Sequence, residues 1–128
     1  MCAVSIAKWL AAWILGASLA AAACTSLSDG TPSPAQDYLF DPAALRRGKL
    51  IFVGSCGGYC HPTQPGNRDA PYLFDCTWKH GDSDREIYHT ISTGVPDTRM
   101  PAFGGKLPDG EEDIWKVVAY LRSKASCP

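Results

Sequence analysis

The sequence predicts an all-α domain of three to four short helices joined by two long loops. Three helix starts are marked by capping residues or by a proline in the first turn. No stretch alternates polar and apolar residues with the period of two that a half-buried β-strand requires. The 12 glycines and 10 prolines among the 128 residues interrupt the chain often, which excludes long regular elements.

The first helix is predicted over residues 43–53. Asp41 is a good N-cap residue, and Pro42 is tolerated at the first helical position. The glycine-rich residues 54–58 are expected to end this helix. Its apolar face contains Leu45, Ile51 and Phe52.

Two further helices begin at capping boxes, in which the N-cap side chain and a side chain three residues later satisfy each other's backbone amides. The first box lies at residues 83–86, and its helix ends at Gly94 in a left-handed cap. The second box lies at residues 109–112, with Asp109 as the cap, and its helix runs to about Ser123. The apolar faces contain Ile87, Tyr88 and Ile91 in one helix and Ile114, Val117, Val118 and Leu121 in the other.

Composition and length limit the classes of function. A formal net charge of -1 argues against a nucleic-acid-binding protein, and 45% apolar with 20% charged residues fits neither a disordered chain nor a membrane bundle. One domain fits into this length. Long loops are uncommon in a compact domain unless something orders them, so a large, flat, apolar cofactor is expected between the helices.

Residues 1–24 are expected to be an export signal. Lys8 precedes an uncharged apolar run over residues 9–23, which is shorter than the roughly 20 residues of a membrane span. Cleavage would release the protein, or Cys24 would be lipidated and anchor it; an uncleaved N-terminal anchor is a third alternative. Residues 25–36 predict a flexible tether and residues 37–128 the folded domain. Export would place the remaining cysteines in an oxidising compartment.

The chemistry is predicted to centre on Cys56, Cys60 and His61. A cysteine followed directly by histidine, with a second cysteine upstream, is the arrangement that attaches a c-type haem. The iron then needs a sixth ligand, and a methionine in that position raises the potential. Met100 is the one methionine besides Met1, and the proline that follows it disfavours helical backbone. His61 and Met100 are therefore the predicted metal ligands.

With these residues the chain resembles the class I cytochrome c family of small, exported bacterial electron carriers, over about residues 37–124. The resemblance implies a cytochrome c fold of three to four helices, with long loops around one covalently bound haem c. It also implies that Gly48 meets Tyr120 where the first and last helices cross, and that the Pro71 carbonyl accepts a hydrogen bond from His61. The shared positions are Gly48, Phe52, Cys60-His61, residues 70–73, Gly94-Val95, residues 100–103, Trp115 and residues 119–121.

The attachment motif departs from the family pattern in its spacing. Three residues separate Cys56 from Cys60, where the family has two, and Gly57 stands at the expected cysteine position. The backbone could bulge at its glycines so that Cys56 still reaches the haem, which leaves Cys76 and Cys127 to pair. Alternatively, Cys60 alone is attached, Cys56 forms a disulfide with Cys76, and Cys127 has no partner.

Four further side chains are weighed as site residues. Trp78 either stacks near a haem edge or bonds a propionate through its indole nitrogen, or it packs in the core. Arg99 neutralises a propionate or remains a solvated loop charge. His80 and His89 are competing ligands, but a structural hydrogen bond for the first and a surface position for the second are the simpler interpretations.

The resemblance implies a monomeric electron carrier and not an enzyme, acting in the periplasm. Residues 78–81, with the helix and loop that follow, are similar to cytochromes that serve periplasmic quinoprotein dehydrogenases. Such a dehydrogenase as donor, and a terminal oxidase or another cytochrome as acceptor, are the expected partners. Two alternatives remain open: a disulfide-rich or zinc-binding module that uses Cys56, Cys60, His61 and Cys76, and a haem sensor in which Met100 is labile.

Overall fold

A computed structural model describes residues 30–66 and 69–127, with a compact unit that begins at Thr31. In these residues the chain forms helices and loops and no strand, so the predicted all-α class is confirmed. The helices are α1 (Pro34–Tyr38), α2 (Pro42–Ile51), a π-helical segment (Phe52–Gly57) that continues α2, α3 (Asp84–Thr93) and α4 (Glu111–Lys124). Two long loops separate the π-helical segment from α3 and α3 from α4.

The predicted export signal, residues 1–24 with Cys24, lies outside the described residues, as do residues 25–29 of the predicted tether. Along the part of the chain that is described, each helix is too short or too polar to cross a membrane. The interpretation of the first 29 residues therefore remains a prediction.

Helix α1 lies across the boundary that the sequence predicted between tether and domain. Its first three residues belong to the predicted tether, yet Ser33 and Ala35 are buried and the helix packs against α4. The Ser33 hydroxyl donates a hydrogen bond to the Asp84 carboxylate at the start of α3. The folded part thus begins before residue 37, because Ala35 is buried in the core and Ser33 is bonded to the start of α3.

The start of α2 follows the prediction, but the last turns before Gly58 take a form that the sequence did not predict. The Asp41 carboxylate accepts a hydrogen bond of 2.8 Å from the Ala43 amide, as expected of an N-cap. The helical course ends at Gly57, within the predicted residues 54–58, but from Phe52 onward it is a π-helical segment, which the sequence did not predict. A π-helix closes each turn with one residue more than an α-helix. Gly54 and Gly57 lie within this segment, and Gly58 follows it as the C-cap residue.

The capping box of α3 is confirmed. The Ser83 hydroxyl accepts from the Glu86 amide at 3.3 Å, and the Ser83 amide donates to the Glu86 carboxylate at 3.0 Å. The helix ends at Gly94, whose φ of 71° is positive as predicted, but its ψ of -172° is extended and not left-handed helical. A Cβ at Gly94 would lie 2.7 Å from the Met100 carbonyl oxygen, so glycine allows the backbone of the second loop to lie against the end of α3.

The second predicted capping box, with Asp109 as the cap of α4, is wrong. Gly110 occupies the N-cap position, and no side chain caps the helix. The Asp109 amide instead donates a hydrogen bond of 3.0 Å to the Asp113 carboxylate. Asp113 is completely buried and accepts two further bonds from the Arg47 guanidinium, of 2.9 Å from Nε and 2.7 Å from Nη2. This ion pair ties α2 to α4.

We expect Asp113→Asn to lower the free energy of unfolding by about 2 kcal/mol at neutral pH. Three N–H donors face the Asp113 carboxylate, and the side chain of asparagine has only one oxygen to accept from them. The hydrogen bonds from Arg47 lower the pKa of the Asp113 carboxyl, while its burial opposes them. The stabilisation is therefore present above the unfolded-state pKa, about 3.9 for aspartate, and is lost as the pH falls through the lower folded-state value. Urea unfolding of both proteins across the acid range measures this difference.

The matched control is Asp109→Asn, since the Asp109 side chain is 57% exposed and lies 3.7 Å from Arg47. We expect this variant to keep the wild-type acid dependence. Equal pH profiles for wild type and Asp113→Asn would show that the buried carboxylate contributes nothing to acid stability.

The core forms where α2 crosses α4. A Cβ at Gly48 would lie 2.0 Å from the Lys116 carbonyl oxygen and 3.1 Å from the Tyr120 Cβ, so the two helices touch through the glycine. This contact is the one that the family resemblance implies for Gly48 and Tyr120. The predicted apolar face of α4 is buried, as are Ile87 and Ile91 of the α3 face, whereas Tyr88 is half-buried. The core residues are Ala35, Ile51, Phe52, Phe74, Ile87, Ile91, Ile114, Val117, Val118, Ala119, Tyr120 and Leu121.

A disulfide between Cys76 and Cys127 fastens the chain after α4 to the first long loop. The two Cα atoms are 5.3 Å apart, and the neighbouring Ser126 amide donates to the Phe74 carbonyl at 2.8 Å. This pairing is the one that follows if Cys56 remains available for haem. The alternative disulfide between Cys56 and Cys76 is wrong.

Candidate functional site

A cavity of about 490 Å³ opens between the π-helical segment, α3, α4 and the two long loops. This volume lies within the range of roughly 300–1,000 Å³ that is usual for cofactor and ligand sites. The structure brings all the predicted site residues into its wall: Cys56, Cys60, His61, Pro71, Trp78, Arg99 and Met100. Residues from positions 56 to 100 therefore meet in one place, although they lie on separate elements.

Apolar side chains form most of the remaining wall. Ile87 and Ile91 come from α3, and Val117 and Leu121 come from α4. The sequence placed these four residues on the apolar faces of their helices, and the periodicity could not show that they line a cavity. An apolar helix face has the same pattern whether a protein side chain or a cofactor covers it.

His61 is oriented by the loop that precedes α3. Its ring is buried, with 7% exposed, and Nδ1 lies 2.9 Å from the Pro71 carbonyl oxygen. Since a carbonyl only accepts, Nδ1 carries the proton in this hydrogen bond, and Nε2 is the nitrogen that can bind a metal. The hydrogen bond that the resemblance implies is thus present.

Both motif cysteines are half-buried, line the cavity and take no part in a disulfide. The carbonyl oxygen of Cys56 accepts from the Cys60 amide at 3.2 Å and from the His61 amide at 3.0 Å, so the backbone of the motif is tightly turned. Burial, with a smaller contribution from Cys60, raises the pKa of the Cys56 thiol to about 11. Cys56 is therefore a protonated thiol at neutral pH.

Met100 reaches the cavity from the second long loop. Its carbonyl accepts from the Val95 amide at 3.2 Å, and its amide donates to the Thr98 hydroxyl at 3.2 Å. Beyond Met100, the Phe103 and Gly104 amides donate to the carbonyls of Ile91 and Ser92 at 3.0 and 2.9 Å. The loop is thus fixed to the end of α3 by backbone hydrogen bonds on both sides of the methionine.

Of the four further candidates, Trp78, His80 and Arg99 line the cavity. Trp78 is half-buried, and the Arg122 guanidinium lies 5.7 Å from the centre of its ring, within cation–π distance. Arg99 is 77% exposed and forms an ion pair with Asp69, which also lines the cavity. His80 is exposed and lines the cavity, whereas His89 is an exposed residue of α3 outside its wall.

A zinc-binding module is not supported. Cys76 is bonded to Cys127 and is therefore removed from the proposed set of four ligands. Among residues 30–66 and 69–127, no three histidine, cysteine, aspartate or glutamate side chains come together as a metal site. The imidazole, the methionine sulfur and two thiols around an apolar cavity fit a covalently attached haem instead.

The family model described as cytochrome c oxidase, cbb3-type, subunit III matches residues 43–121. The chain is 36% identical over 125 residues to the cbb3-type oxidase subunit FixP of Bradyrhizobium sp. (strain ORS 278), covering 90% of this chain and 41% of that protein. It is 31% identical over 96 residues to subunit CcoP of Rubrivivax gelatinosus, covering 74% and 31%. The chain thus spans less than half the length of these relatives.

Two solved cytochromes cL share the fold. The protein from the marine methylotrophic bacterium Methylophaga aminisulfidivorans MPT superposes with a TM-score of 0.59 at 21% identity, over 78% of this chain and 71% of that one. The protein from Hyphomicrobium denitrificans superposes with a TM-score of 0.57 at 22% identity, over 78% and 64%. The cytochrome c-like fold that the sequence predicted is thereby confirmed.

The match to the family model covers most of the compact unit, from α2 to the last turns of α4. It includes the motif cysteines, His61 and Met100, all of which line the cavity. Cytochrome c domains carry covalently bound haem c and transfer electrons without being enzymes themselves. The chain belongs to the family of cbb3-type cytochrome c oxidase subunit III, and it is a cytochrome c domain of that family.

Proposed function

We propose that this chain shuttles single electrons in the periplasm through one haem c with His61 and Met100 as axial ligands. The proposal rests on the cavity, because His61 and Met100 both line it although they lie 39 residues apart in the sequence. A histidine nitrogen and a methionine sulfur form the ligand pair of cytochromes with raised potentials. Both ligands are held by backbone hydrogen bonds.

The chain's own residues would bind, orient and shield the cofactor. Cys60 would attach it, and the hydrogen bond to Pro71 would keep His61 in the tautomer that presents Nε2. The apolar side chains of α3 and α4 would exclude water. Trp78 and Arg99, at the edge of the cavity, would face the polar rim of the group. When bound, haem supplies reversible one-electron chemistry.

We propose an exported monomer, released by cleavage of residues 1–24 or anchored through a lipid at Cys24. A terminal oxidase is the proposed acceptor, because the curated relatives are named as oxidase subunits. A periplasmic quinoprotein dehydrogenase is the proposed donor, on the resemblance of residues 78–81 to cytochromes that serve such enzymes. Another cytochrome could take either place. Residues 25–128 contain 11 basic and 13 acidic residues, and this near-neutral balance gives little long-range steering to these encounters.

The test is the visible spectrum of the full chain, co-expressed with haem-maturation proteins. We expect a sharp Soret band, a reduced α-band and a weak sulfur-to-iron band. His61→Ala should lose the spectrum of a six-coordinate haem, whereas His89→Ala, on the exposed face of α3, should keep it. Colourless wild-type protein would overturn the assignment. Stoichiometric binding of carbon monoxide by the reduced protein would favour a sensor with a labile sixth ligand.

A further inference from the structure

We propose that the widened backbone turn from Cys56 to His61, at the end of the π-helical segment Phe52–Gly57, absorbs the extra residue of the attachment motif, so that Cys56 is the first haem-attachment residue. The inference rests on the proposed function and identifies the second covalent bond to the cofactor. Nothing in the family match assigns this bond, because Gly57 stands where the usual spacing places a cysteine.

The backbone hydrogen bonds of the motif carry the first step. The His61 amide donates to the Cys56 carbonyl at 3.0 Å, a bond that spans five residues and closes a π-helical turn. With two residues between the cysteines, the same amide and carbonyl would be four residues apart, which is the α-helical bond. The wider turn thus keeps the first cysteine bonded to the histidine backbone while it accommodates one residue more.

The second argument compares the surroundings of the Cys56 side chain with those of a side chain at position 57. The half-buried Cys56 lines the cavity. A Cβ built at Gly57 would instead lie 3.2 Å from Cε1 and 3.4 Å from the carbonyl oxygen of Phe52, and 3.3 Å from Cγ2 of Thr63. Phe52 is completely buried, so its ring has little room to move. A side chain at position 57 would therefore press on the core.

The covalent step balances without any further reactant. The Cys56 S–H bond breaks, a sulfur–carbon bond forms to one carbon of a haem vinyl group, and the proton goes to the other carbon. The carbon–carbon double bond becomes a single bond, so the addition needs no external oxidant or reductant. Cys56 remains available for this reaction because Cys76 is bonded to Cys127.

The test moves the thiol by one residue and compares four holoproteins: wild type, Cys56→Ala, the double variant Cys56→Ala/Gly57→Cys, and the control Gly57→Ala. Gly57→Ala imposes the packing cost of a Cβ at position 57 but leaves the Cys56 thiol in place. Each protein is denatured, treated with iodoacetamide without reductant, and digested with trypsin. Mass spectrometry of residues 50–68 then reports the haem attachment and alkylation of each motif cysteine.

In wild type and Gly57→Ala we expect haem on this peptide with neither cysteine alkylated. In Cys56→Ala, haem stays attached through Cys60, and the α-band of its pyridine haemochrome shifts as one vinyl group survives. In the double variant, the doubly attached fraction falls by about fivefold or more, because a larger side chain overpacks the core. If this variant does not accumulate, the alkylation state of Cys56 in wild type and Gly57→Ala decides the question.

Alkylated Cys56 on a haem-bearing wild-type peptide would overturn the inference and leave the proposed function intact. Equal double attachment in wild type and the double variant would keep Cys56 as an attachment residue and overturn the argument that packing excludes a thiol at position 57. A wild-type peptide without haem would instead contradict the proposed function itself.

Discussion

We expect Met100→Ala to lower the midpoint potential by about 0.2 V or more, within the roughly 0.8 V over which axial ligands set haem potentials. A thioether sulfur favours the reduced iron, and alanine offers no ligand in its place. The weak sulfur-to-iron band should disappear in the same variant. Spectroelectrochemical titration of the purified holoproteins measures both changes.

Arg99→Ala is the matched control for this experiment, since Arg99 precedes Met100 and lines the same cavity. Its side chain is 77% exposed and paired with Asp69, so its removal should leave the sulfur-to-iron band in place. An unchanged spectrum and potential in Met100→Ala would contradict ligation by Met100. The sixth ligand would then have to come from another cavity residue, and His80 would be the first to test.

We expect Gly48→Ala to lower the free energy of unfolding by about 3 kcal/mol, because an added methyl group must push α2 away from α4. The Cβ would lie 2.0 Å from the backbone carbonyl oxygen of Lys116, which no change of side-chain rotamer can relieve. The roughly 1 kcal/mol gained by replacing glycine with alanine in a helix is too small to compensate. Urea unfolding of the holoproteins measures the difference.

Gly54→Ala is the control for Gly48→Ala. It lies in the continuation of the same helix, but a Cβ there has no neighbour within 4 Å. We expect its stability to equal or slightly exceed that of the wild type, by up to about 1 kcal/mol. Equal stabilities for Gly48→Ala and Gly54→Ala would show that the helix crossing tolerates a side chain.

Much of the fold could be predicted because local chemistry determines it. The capping box of Ser83 and Glu86, the N-cap of Asp41 and the apolar spacing of α4 depend on residues within a few positions of one another. The segment at Phe52–Gly57 could not be predicted in this way. Its glycines permit a helix to end or to widen, and the local sequence does not distinguish these outcomes.

For the site too, residues with specific chemistry could be predicted, whereas contacts between distant parts of the chain could not. Cys60, His61 and Met100 could be predicted because their side chains carry specific chemistry and the chain offers few alternatives. Asp113 was missed as the partner of Arg47, since acidic residues are common in the first turn of a helix and this pair lies 66 residues apart. The choice between the two disulfide pairings also depended on distance in space, which cysteine spacing does not reveal.

The disulfide also imposes an order of covalent events. A polypeptide is made from its N-terminus, so Cys56, Cys60 and Cys76 all exist before Cys127, which lies 51 residues after Cys76. During that interval an oxidant can join Cys76 within the chain only to an upstream thiol, and a bond to Cys56 or Cys60 would consume a cysteine of the haem motif. Correct maturation therefore depends on timing. Cys56 and Cys60 must stay reduced, or be bonded to haem, until Cys127 is present to pair with Cys76.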